Sequence, residues 1–214
     1  MTKTVNGNHI LCIKNSDWNG VLVIGVVHGD EPQGEYLINE YLKGNKDSRL
    51  AFIPVLNPDG KELGVRVNAN GVDLNRNFPT QNWEKTERNE FFGGNSSASE
   101  VETKFLINLV EELKPKLILT LHAPFKVVNF DGPAKSIALM ISDIIKYPVE
   151  ENIGYPTPGS FGTWAGVEKR IPTITLELDE EIPVKELENP VFNIFKQLEG
   201  FDKIDFSVFE VSRS

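Results

Sequence analysis

The apolar positions of this chain follow two periods, and their alternation predicts the fold. Val21 to Val27 is apolar without interruption, as expected of a central strand covered on both faces. Leu37, Ile38, Tyr41 and Leu42 then form one helical stripe. Pro32 suits the first position of that helix, and Gly44-Asn45 stops it. Leu50 to Leu56 reads as the next strand, with Pro54 pointing to an edge or a bulge. Ser99-Glu100-Val101-Glu102 has the form of a capping box and predicts a helix with Val101, Phe105, Leu109 and Leu113 inward. Lys116 to Leu121 is a further buried strand that ends at His122. Helical patterns cover Pro133 to Tyr147, the region near Phe161 to Lys169, and roughly Pro190 to Glu199. A strand from Pro172 to Leu178 carries Glu177.

The intervening stretches add detail. Asn6-Gly7-Asn8 predicts a tight turn between two short edge strands, the second near His9 to Lys14. Asn57-Pro58-Asp59-Gly60 predicts a turn. Lys61 to Ser97 has little regular pattern but many specific polar residues, which marks a functional loop. The tail alternates weakly at Phe206 and Val208, as an edge strand or a contact surface would. Strands alternating with helices predict an α/β fold around a largely parallel sheet. With no repeat or linker, residues 1–214 are expected to form one domain.

Composition narrows the function classes. Hydrophobic residues make up 40% and charged residues 25%, as in ordinary globular proteins. The net charge of -9 argues against a nucleic-acid binder, which would show a basic face. It leaves room for an anionic small substrate held by a few arginines. The single cysteine, Cys12, gives no internal disulfide. No run reaches transmembrane length, and Met1 to Asn6 has no apolar leader core, so the expectation is a cytoplasmic protein with no membrane partner.

The candidate chemistry gathers at strand ends, where ligands collect in parallel sheets. His28 and His122 each close an apolar strand, and Glu31 lies three residues beyond His28. Either histidine alone is equally well explained as a strand-end residue satisfied by backbone. With Glu31 they form a plausible zinc set of two histidines and a glutamate. His9, the third histidine, reads as a surface strand residue. Glu177 is a carboxylate inside an apolar strand, suited either to a salt bridge or to moving a proton once burial raises its pKa. In Asp73-Leu74-Asn75-Arg76-Asn77, Arg76 can grip a carboxylate with two parallel hydrogen bonds, and Asn75 can add a neutral one. Arg66 is suited to stabilising an oxyanion, and Asp73 to orienting a zinc-bound histidine. A solvated surface charge is the alternative for each arginine.

His28-x-x-Glu31, Asn57-Pro58-Asp59-Gly60, Asp73-x-Asn75-Arg76-Asn77, His122 and Glu177, in this order, resemble the zinc carboxypeptidase (M14) family over roughly Val21 to Glu181. The resemblance implies a three-layer fold with helices on both faces of a mixed, mostly parallel sheet. It implies one zinc ion on His28, Glu31 and His122, and Glu177 as general base and then acid. It implies Arg66 beside the scissile carbonyl, Asn75 and Arg76 on the substrate's carboxylate, and Asp73 behind His28. Family members carry a mobile tyrosine 22 residues before the catalytic glutamate, which here is Tyr155.

Many peptide-cutting members have an arginine where this chain has Asp30, which argues against a broad carboxypeptidase. His122-Ala123-Pro124, Asp131-Gly132-Pro133 and Gly154 to Trp164 are similar to the murein peptide amidase A branch. That resemblance implies hydrolysis of the γ-D-glutamyl–meso-diaminopimelate bond of murein tripeptide in cell-wall recycling. Two other readings stay open: a relative of aspartoacylase or succinylglutamate desuccinylase acting on N-acyl amino acids, and a pseudo-enzyme that only binds wall peptides.

Overall fold

The computed structural model describes residues 1–151, 154 and 156–203. The expected turn at Asn6-Gly7-Asn8 joins β1 (Thr2–Lys3) to β2 (His9–Ile10), which form a small antiparallel sheet of their own. They are shorter than expected and are not edges of the main sheet. Then follow β3 (Val21–Ile24), α1 (Gln33–Gly44), β4 (Ala51–Ile53), α2 (Pro58–Leu63) and α3 (Val101–Leu113). The second half contains β5 (Leu117–His122), β6 (Val127–Asp131), α4 (Lys135–Ile145), β7 (Val149–Glu150), β8 (Thr173–Glu177) and α5 (Glu188–Glu199).

The main sheet has six strands in the order β4-β3-β5-β8-β6-β7. Only the β6–β8 pairing among them is antiparallel. The three-layer expectation is met. On one face α1, α4 and α5 bury Leu37, Ile141 and Phe195 against Val23 and Leu119. Tyr41, Phe52 and Phe195 meet there edge to face, with Phe195 5.0 Å from Tyr41 and 5.7 Å from Phe52. On the other face α3 and the segment around Phe161 and Trp164 cover Leu22, Ile24 and Ile118. β4 lies at the sheet edge and stops at Ile53, as Pro54 demands.

Several local expectations differ from the structure. α3 does not turn Val101, Phe105, Leu109 and Leu113 fully inward. Its buried centre is Leu106 and Val110, one position on, and the expected residues flank it half-buried. Nor does a capping box form. The Ser99 hydroxyl donates to Glu100 Oε1, and Glu102 accepts from Asn68 Nδ2, so the reciprocal bonds of a capping box are not made. Asn57-Pro58-Asp59-Gly60 is more than a turn. Asn57 Oδ1 accepts the Gly60 N–H at 2.9 Å, Pro58 needs no partner at the first position, and the chain continues as α2. Near Trp164 the expected helix is a wide, π-type coil over Thr163–Glu168. Strands β6 and β7 were not expected from the sequence. The tail from residue 204 onward lies outside the described residues.

Candidate active site

The parallel strands β3, β5 and β8 point their carboxyl ends at one place. His122 is the last residue of β5 and pairs in register with Glu177, the last of β8. His28 follows β3 after a bend in which Val26 adopts φ 49°, a left-handed conformation that a β-branched residue avoids. Gly29 then packs so closely on α2 that a Cβ would lie 2.1 Å from the Gly60 carbonyl carbon. Its N–H donates to the Arg66 carbonyl at 3.2 Å, which also accepts from Asn57 Nδ2. This contact pins the loop bearing Arg66 beside His28 and Glu31.

His28, Glu31 and His122 are all buried, and their donor atoms lie within 4.8 Å of one another. Glu31 bridges the histidines: Oε1 is 2.7 Å from His28 Nδ1, and Oε2 is 2.9 Å from His122 Nδ1. The two Nδ1 atoms are 3.2 Å apart. Asp73 Oδ1 sits 3.2 Å from His28 Nε2, which leaves Nδ1 turned toward the other two ligands. Burial alone would lower the His28 pKa, but the carboxylates of Glu31 and Asp73 outweigh it and raise it to about 9. Burial works against the Glu31 carboxylate too, yet His28 and His122 hold its pKa far below the usual range. Two nitrogens and an oxygen converge on one point that favours positive charge, a set that fits a zinc ion with one position left open.

Asp73 is fully buried and links the centre to its surroundings. Its Oδ2 accepts Arg66 Nε at 3.0 Å and Nη2 at 2.9 Å, while Oδ1 also accepts the Asn75 N–H at 2.8 Å. Arg66 Nη1 reaches His28 Nδ1 at 3.3 Å. Asn75 Oδ1 accepts the Phe161 N–H at 2.9 Å, so its amide group is left to donate into the cavity. Arg76 is buried and donates to the Asn75 carbonyl. The exposed Phe91 lays its ring 5.3 Å from the Arg66 guanidinium carbon and 6.0 Å from that of Arg76.

His28, Glu31, Arg66, Asn75, Arg76 and His122 line one cavity of about 570 Å³, together with Glu177. Among the described residues, Glu177 Oε2 is buried with no hydrogen-bond partner. Burial raises its pKa, with Glu31 adding to the effect and His122 opposing it. An orphaned carboxylate oxygen beside three metal-type donors is a group ready to exchange a proton. Asp30 is exposed and lines a second cavity of about 530 Å³, with Glu90, Phe91, Phe125 and Glu180. His9 is exposed on β2, as expected of a surface strand residue, and does not line this cavity. Tyr155 lies outside the described residues.

Sequence reasoning missed the deep end of the main cavity, formed by Asn129, Asp131, Thr175 and Gly162. The clue was the alternation Val127-Val128-Asn129-Phe130-Asp131, whose polar members share one face of β6.

Residues 1–136 match the family model described as zinc carboxypeptidase. Murein peptide amidase A of Vibrio campbellii is 36% identical over 73% of this chain and 68% of its own length. Murein peptide amidase A of Escherichia coli K12 is 33% identical over 67% of this chain and 64% of its own length. The crystal structure of murein-tripeptide amidase from Escherichia coli O157 superposes with a TM-score of 0.80 at 26% identity, covering 92% of this chain and 89% of that one.

Proposed function

From the premise that the chain belongs to the zinc carboxypeptidase family and is a zinc-dependent hydrolase, we propose that it is a murein peptide amidase. The bond it cleaves joins γ-D-glutamate to meso-diaminopimelate in murein tripeptide, and residues 1–214 act as one catalytic domain. The observation that carries the chemistry is the orphaned Glu177 Oε2 in one cavity with His28, Glu31, His122 and three carboxylate- or carbonyl-binding side chains. Likeness to amidases of that name, at 36% and 33% identity, carries the substrate.

His28, Glu31 and His122 would hold zinc, which supplies Lewis acidity toward the scissile carbonyl. Asp73 keeps His28 oriented through Nε2. Glu177 takes a proton from the attacking water as the C–O bond forms. It then delivers that proton to the leaving nitrogen as the C–N bond breaks. Arg66, already beside the centre, donates to the oxyanion that develops on the carbonyl oxygen. Arg76 and the Asn75 amide hold the carboxylate next to the leaving nitrogen, and Tyr155 belongs to the same substrate-binding group. Asp30, exposed where many relatives keep a substrate-gripping arginine, fits a narrower specificity than a general carboxypeptidase. One cysteine and an acidic surface fit a cytoplasmic role in peptidoglycan recycling.

The test is mass spectrometry of L-Ala-γ-D-Glu-meso-diaminopimelate incubated with the zinc-loaded protein. Free diaminopimelate is expected. An intact tripeptide at full zinc occupancy, or release of acetate or succinate from N-acyl amino acids instead, overturns the proposal.

A further inference from the structure

The loop that carries Arg66, Asp73, Asn75 and Arg76 is tied to the start of α3 by two buried asparagines. Asn68 is 2% exposed. Its Oδ1 accepts the N–H groups of Asn70 at 3.0 Å and Val72 at 3.1 Å. Its Nδ2 donates to Glu100 Oε2 at 2.8 Å and to Glu102 Oε2 at 3.3 Å. Every hydrogen-bonding position of that amide is thus filled. The backbone closes the same turn, with the Asn68 N–H on the Val72 carbonyl at 2.9 Å. Arg66 enters this turn and Asp73 leaves it, and the two are joined across its neck by Arg66 Nε and Nη2.

Asn77 directly follows Arg76 and is fully buried. Its Nδ2 donates to the Gly93 carbonyl at 2.7 Å and to Ser99 Oγ at 3.0 Å, and its Oδ1 accepts the Glu100 N–H at 3.2 Å. Glu100 therefore receives both ties, Asn68 on its side chain and Asn77 on its backbone. α3 is a firm anchor, because Leu106 and Val110 seat it on the sheet. Glu100 and Glu102 are both buried and share the Asn68 amide, and Glu102 Oε1 has no hydrogen-bond partner among the described residues. Carboxylates short of donors hold the donor they have firmly, so this tie resists movement of the loop.

The two ties serve different groups. Asn68 fixes the neck that bears Arg66, the donor to the developing oxyanion, and Asp73, the carboxylate on His28. Asn77 fixes the turn Leu74–Arg76, which bears the two side chains that hold the substrate's carboxylate. An interaction made only in the transition state shows in kcat, and one made equally with bound substrate shows in KM. We propose that Asn68 and Asn77 are positioning residues with separate duties: Asn68 sets kcat and zinc affinity by holding Arg66 and Asp73, and Asn77 sets KM by holding Asn75 and Arg76. The inference rests on the amidase reading for the roles of those four side chains.

Asn68→Asp and Asn77→Asp each remove the amide donor and keep the shape. Both are compared with the wild type, per folded molecule, by kinetics on L-Ala-γ-D-Glu-meso-diaminopimelate, by zinc competition titration and by calorimetric binding of free diaminopimelate. Asn68→Asp should lower kcat and zinc affinity by about 10-fold, with KM and diaminopimelate affinity within about twofold of wild type. Asn77→Asp should raise KM and weaken diaminopimelate binding by about 10-fold, with kcat and zinc affinity within about twofold of wild type. A merely structural role would lower the folded fraction of both variants and separate neither constant from the other. Equal effects of the two variants on kcat and KM overturn the inference, as do wild-type constants in both. If a buried charge keeps either variant from folding, Asn68→Ala and Asn77→Ala make the same comparison without it. If the wild type leaves the tripeptide intact, the amidase reading falls and the zinc titration decides the inference. Weaker zinc binding in Asn68→Asp alone then upholds it, and equal zinc affinity in the two variants overturns it.

Discussion

Asp73 and Asp131 are the same residue type on the same molecule, and their surroundings push them in opposite directions. Burial disfavours the charge of Asp73, but His28, Arg66 and Arg76 more than offset this and hold its pKa well below the usual range. Asp131 feels burial alone, and its pKa rises. A carboxylate whose lone pairs are all engaged by its own chain belongs to the framework of a site. One whose lone pairs meet only solvent and cavity is addressed to a ligand. The same contrast separates Glu31, bridged between two histidines, from Glu177, which keeps an oxygen unpaired.

This division can be broken experimentally at either end. The largest effect belongs to the metal. Stripping zinc with a chelator, or replacing His122 with Ala, should reduce turnover to background, and zinc should rescue only the stripped wild type. Next, Glu177→Gln should lower kcat by about 10²- to 10⁴-fold, with zinc content by mass spectrometry unchanged. Loss of metal in that variant would move Glu177 from the ligand-facing group to the framework. Asp73→Asn should weaken zinc binding by about 10- to 100-fold in a competition titration.

The smallest effect is on stability and depends on pH. The folded pKa of Asp131, about 6, exceeds its ordinary 3.8. The folded state therefore binds the proton more tightly, and the wild type loses stability as pH rises from 3.8 to about 6. Asp131→Asn removes that loss. Allowing for solvent screening, the variant should be more stable by about 1 kcal/mol at pH 8 and indistinguishable below pH about 4. Thermal melts across this range would show it, and a pH-independent difference would mean that Asp131 has a structural partner.

The two ends of the cavity were not equally legible in the sequence. The framework was readable because its signals are local: an uninterrupted apolar run ending in a histidine, a glutamate three residues on, and a dense polar string at Asp73 to Asn77. The alternating α/β order was readable for the same reason. The deep end depends on the antiparallel pairing of β6 with β8, a long-range register that no local pattern encodes. The inward face of α3 was misplaced by one position because half-buried Phe105 and Leu109 carry as strong an apolar pattern as the buried Leu106 and Val110. Likewise Ser99 and Glu102 have capping chemistry, but Asn77 and Asn68 compete for both side chains.

Because β6 runs away from the reacting centre, its polar residues Asn129 and Asp131 line the cavity at successive depths. Glu177 and Asp131 thus stand at opposite ends of one hydrogen-bonded strand pair, so the floor of the cavity can be re-cut without touching the residue at its mouth.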